Sequence, residues 1–99
     1  MRRAAKVDAN HGDVAGAFVA MGCSVRSLAA VGGGIPDLLV AAPGSGNTFL
    51  VEVKDGAKSA SRRKLTPDQQ AFKDSWRGSI LYVTDAKDVP TIVNAMRRA

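Results

Sequence analysis

Two short apolar runs separated by a tight turn constrain this chain more than any other stretch. Asp37-Leu38-Leu39-Val40 and Phe49-Leu50-Val51-Glu52-Val53-Lys54 are rich in Val and Leu, and Pro43, Gly44, Ser45, Gly46 and Asn47 lie between them. Branched apolar side chains suit a pleated, half-buried surface, whereas Gly, Pro, Ser and Asn supply turns. The pair predicts a β-hairpin.

Charges interrupt both runs. Side chains along a strand alternate faces, so Glu52 and Lys54 share one face while Val51 and Val53 take the other. If Asp37 pairs with Glu52 or with Lys54, all three charges meet on one side of the sheet; a slip of one residue sends Asp37 to the opposite side. Charges removed from water are costly unless paired or bound to a metal. Two carboxylates attract a hard cation such as Mg²⁺, and a neighbouring lysine can orient a metal-bound water or stabilise charge on a phosphate. The plain alternative is an ordinary ion pair of Lys54 with Asp37 or Glu52 on a solvated face.

Length and charge bound the rest. The 99 residues are expected to form one domain, 1–99, and a chain of this size buries roughly 65% of its unfolded surface. That suffices for one sheet with two or three helices. The formal net charge is +5, with arginine and lysine gathered at both ends and around Lys58 to Lys64, which favours a polyanionic partner. Charge alone does not separate DNA from RNA or an anionic membrane. The single cysteine, Cys23, cannot form an internal disulfide and reads as a small buried hydrophobe. No apolar run approaches the ~18 residues of a membrane span, and no long apolar segment follows Met1-Arg2-Arg3. A cytoplasmic chain without membrane contact is expected.

Along the chain, residues 1–7 form a basic arm. A helix should start at Asn10, a good N-cap, and carry Val14, Ala17, Phe18 and Met21 inward until Gly22. Asp13 lies in its first turn, where a carboxylate favours the helix dipole. His11 is the sole histidine, which rules out a multi-histidine zinc site. Ser24 to Ala29 should be a strand with Val25 and Leu28 in the core and Arg26 facing solvent or DNA. Gly32-Gly33-Gly34 matches no nucleotide-binding pattern and instead permits close backbone approach. Residues 56–64 read as a flexible basic loop in which Lys58, Arg62, Arg63 and Lys64 can contact phosphates without reading sequence. Thr66-Pro67-Asp68-Gln69 opens a helix, with Thr66 as N-cap, Pro67 at the first helical position and Gln69 completing a capping box. Trp76 could stack on a base, but its spacing from Phe72 suits a core position. Ser79 to Val83 is a fourth strand, and Asp85 caps a last helix whose Val89, Ile92, Val93 and Met96 face inward. The order α-β-β-β-α-β-α predicts an α/β fold, a mixed four-stranded sheet flanked by helices.

Pro36-Asp37 followed by Glu52-Val53-Lys54 resembles the PD-(D/E)xK nuclease signature. The wider pattern, Gly34-Ile35-Pro36-Asp37-Leu38-Leu39-Val40, Val51-Glu52-Val53-Lys54-Asp55-Gly56 and Leu65-Thr66-Pro67-Asp68-Gln69, resembles the VRR-NUC branch, which is related to Holliday-junction resolvases. It runs in order from about Asn10 to Gly78. The resemblance implies a restriction-endonuclease-like core and a Mg²⁺- or Mn²⁺-dependent DNA endonuclease. Asp37, Glu52 and the Val53 carbonyl would hold the metal, and Lys54 would position the attacking water. It also implies a metal-binding role for Asp13, which falls where relatives carry an acidic residue, and a catalytic role for Gln69. By analogy alone, a homodimer with paired sites would suit branched DNA. The rival readings are a nucleic-acid-binding module with a vestigial site and an interaction protein whose hairpin charges are ion pairs.

Overall fold

The computed structural model describes residues 10–55 and 64–99. The proposed basic arm, Lys58, Arg62 and Arg63 lie outside the described residues. The element order is the expected one: α1 (His11–Ala20), β1 (Ser24–Ser27), β2 (Leu38–Ala41), β3 (Thr48–Val53), α2 (Pro67–Ser75), β4 (Ile80–Val83) and α3 (Val89–Arg98). The sheet runs β1-β2-β3-β4. Both β1–β2 and β2–β3 are antiparallel, whereas β3–β4 is parallel. The sheet is therefore mixed, and α2 supplies the crossover that a parallel pair requires.

One face of the sheet carries the core. Leu38, Val40, Val51, Val53 and Val83 are buried there against Val14 and Phe18 of α1 and Val89, Val93 and Met96 of α3. Each such side chain contributes about 1.5–3 kcal/mol on burial, so α1 and α3 are anchored by the hydrophobic effect. No residue of α2 is fully buried. Gln69 ties it to the other face, which carries Glu52, through bonds to Glu52 and Lys54.

Several local expectations shift. Asn10 stands at the N-cap of α1, but its side chain makes no cap hydrogen bond. Its Nδ2 instead donates to the carbonyls of Lys54 (3.2 Å) and Thr84 (3.0 Å), tying the start of α1 to the ends of β3 and β4. Leu28 lies past the end of β1 and outside the core cluster. Asp85 caps a single 3₁₀ turn, Ala86–Asp88, ahead of α3. In the hairpin turn, Asn47 Nδ2 donates to the carbonyls of Met96 (2.9 Å) and Ala99 (2.8 Å), satisfying acceptors that the end of α3 leaves open. Trp76 is 46% exposed and stacks on Phe72 instead of entering the core, because α2 has no core face to offer it. Among the described residues, no helix is long and apolar enough to cross a membrane.

Candidate active site

The β2–β3 register pairs Leu38 with Val51. One further step along both strands brings Asp37 opposite Glu52, so the two carboxylates fall on the same face. Asp37 and Glu52 are the buried polar residues of the described chain, at 9% and 3% exposure. The Asp37 carboxylate is fixed by the backbone: its Oδ2 accepts the Val53 N–H at 2.8 Å. Asp37 is thereby locked to the peptide that separates Glu52 from Lys54.

Lys54 and Gln69 complete the cluster. Lys54 Nζ lies 3.7 Å from Glu52 Oε2 and donates to Gln69 Oε1 at 2.9 Å. Gln69 Nε2 in turn donates to Glu52 Oε2 at 3.1 Å. The same glutamine closes the capping box of α2: its Oε1 accepts the Thr66 N–H at 2.9 Å, and its N–H reaches Thr66 Oγ1 at 3.2 Å. Capping and site contact, which the sequence presents as competing accounts of Gln69, are made by one amide. Gln70 points away and bonds Asp74 at 2.9 Å.

The charge balance suits a cation. No ion pair among the described residues involves Asp37, while Lys54 is paired with Glu52. A buried carboxylate without a countercharge is costly, and two carboxylates with a neighbouring carbonyl form an all-oxygen donor set of the kind Mg²⁺ prefers. The negative field is felt one strand away: the Tyr82 phenol, opposite Glu52 in the parallel register, is raised above the ordinary tyrosine range, first by burial and then by the Glu52 carboxylate. Burial likewise raises the Cys23 thiol, which keeps it in its neutral form.

The remaining candidates are less central. Asp13 is exposed on α1, and among the described residues no three Asp, Glu, His or Cys side chains come together. Arg26 is exposed and opposite Leu39, on the Glu52 face but two strands away. Lys64 is exposed. Two residues not assigned to the site hold it in shape: Asn10, through the Lys54 carbonyl, and Gly34, whose backbone abuts Asp68 and Gln69 at the start of α2. Neither partner could be read from residue type, since both contacts are tertiary.

No family model matches the chain, and no curated protein matches it. A solved structure described as a VRR_NUC domain superposes with a TM-score of 0.61 at 31% identity, covering 84% of this chain and 88% of that one.

Proposed function

The chain belongs to the VRR_NUC family and is a nuclease domain, and from that premise we propose that it is a metal-dependent DNA endonuclease acting on branched DNA. The observation that carries this reading is the union of Asp37, Glu52, Lys54 and Gln69 around the Val53 peptide. Asp37, Glu52 and the Val53 carbonyl would hold Mg²⁺ or Mn²⁺. When bound, that ion supplies a water of lowered pKa and neutralises charge on the phosphate.

The chain's own groups do the positioning. Val53 N–H fixes the Asp37 carboxylate, and Gln69 fixes the spacing of Glu52 and Lys54. The Lys54 ammonium, on a side chain 12% exposed and held by Gln69 and Glu52, is a fixed positive charge. It orients an attacking water and stabilises charge developing on the phosphoryl oxygens. Such charges act strongly because the site is largely withdrawn from solvent. Paired sites in a homodimer would let two strands of a junction be cut; that part rests on analogy.

A panel of linear, supercoiled, single-stranded and branched DNA, digested with and without chelator, tests the activity. Cleavage should stop in EDTA and return with Mg²⁺ or Mn²⁺; cutting that persists in chelator overturns the metal mechanism. Lys58, Arg62, Arg63 and Lys64 are proposed to hold the DNA backbone. Replacing Arg62, Arg63 and Lys64 together with alanine should lower the slope of log affinity against log salt by about 2–3. An unchanged slope would put the DNA-binding face elsewhere.

A further inference from the structure

The sheet face that carries Glu52 continues away from the acids as an aromatic surface. Tyr82 stands beside Glu52 in the parallel register and is 42% exposed, and Trp76 is 46% exposed. Gln69, Phe72, Lys73 and Trp76 recur at the three- and four-residue spacing that places them on one side of α2. Gln69 already touches Glu52, so the series leads from the acids along the helix. The Trp76 and Phe72 rings are stacked with centroids 5.3 Å apart, and Lys73 Nζ lies 5.7 Å from the centre of the Tyr82 ring. Beside the indole opens a recess of about 290 Å³ lined by Ser75, Trp76, Arg77 and Gly78. A side chain at position 78 would intrude on it, since a Cβ there would sit 2.6 Å from Trp76 Nε1.

Neither Tyr82 nor Trp76 belongs to the core cluster or packs against it. Exposed aromatic rings interleaved with cations are the features that hold single strands: bases stack on the rings while phosphates meet the charges. Paired bases within a duplex have no faces to offer. We infer that Tyr82 and Trp76 stack on unpaired bases of the strand being cut, so that the site proposed above takes DNA with unpaired nucleotides beside the scissile phosphate. This rests on the nuclease reading. The spacing agrees: Tyr82 is one strand from Glu52, about 4.8 Å. Trp76 is seven residues beyond Gln69, roughly 10 Å along α2, or about three stacked nucleotides at ~3.4 Å each.

Trp76 is the only tryptophan, so intrinsic fluorescence reports it directly. In chelator, an oligothymidylate should quench the emission to saturation, while a blunt duplex of equal length, followed by anisotropy of a labelled strand, should bind with little quenching. Tyr82→Ala and Trp76→Ala should each weaken single-strand binding by about tenfold and leave duplex binding unchanged, with Tyr82→Phe retaining wild-type affinity. Single-strand binding without quenching, or equal losses on single strands and duplexes, overturns the inference and leaves the nuclease reading standing. A protein that neither binds nor, with metal restored, cuts any of these DNAs overturns both.

Discussion

Replacing Glu52 with glutamine should lower cleavage by about 10²–10³-fold while the protein still folds and binds DNA. The choice of glutamine matters. Glu52, itself only 3% exposed, accepts from Gln69 through Oε2 and faces Lys54. Alanine there would leave the partly buried Gln69 amide N–H without its acceptor and Lys54 without its countercharge, where an unsatisfied buried group costs about 1–3 kcal/mol. Loss of activity in Glu52→Ala alone could then be a loss of structure. Glutamine preserves an acceptor for the Gln69 amide and removes only the charge. A variant with wild-type melting behaviour and no cleavage isolates the carboxylate as the working group. Near-normal cutting by Glu52→Gln in Mg²⁺ would refute the assignment. In that case Lys54, Gln69 and Glu52 would be a structural network that happens to bridge α2 to the sheet.

Much of this arrangement is legible in the sequence, and the reason is local. Alternation along β3 and a turn of Pro, Gly and Asn set the β2–β3 register, and register alone puts Asp37 and Glu52 on one face. The Thr66–Gln69 capping box is readable because its two partners are three residues apart. Contacts between distant segments were not legible. Asn10 carries residue chemistry suited to a cap, yet its amide spans to residues 44 and 74 positions away, where a strand end offers two carbonyls. Trp76 follows Phe72 at core-like spacing, but a helix start held by polar contacts leaves that stripe open. Asp13 fits a family pattern in sequence, and in the structure it stands exposed in the first turn of α1.

Gly34→Ala, unlike Glu52→Gln, should cost both stability and cleavage, with the loss of cleavage the larger. Gly34 has φ +82°, and a Cβ built on it would strike the Asp68 carbonyl and lie 2.8 Å from Gln69 N. Both obstacles are backbone, so no side-chain rotation relieves them. Either the glycine loop or the first turn of α2 must move. The loop leads directly into Asp37, whose carboxylate is bonded to Val53, while α2 buries no residue fully. The helix start is the softer side. Its displacement pulls Gln69 from Glu52 and Lys54, breaking two hydrogen bonds worth about 1 kcal/mol each, to which left-handed strain adds roughly 1–2 kcal/mol. A net loss of about 3–4 kcal/mol is expected in urea unfolding, with cleavage reduced far beyond the fraction unfolded. Gly33→Ala is the matched control. It has φ +68° but nothing within 4 Å of the added Cβ, so it carries the strain without the collision and should keep both the α2 contacts and activity. Equal behaviour of the two variants would mean that Gly34 serves the loop alone, and that the fit between the loop and the start of α2 does not govern where Gln69 stands.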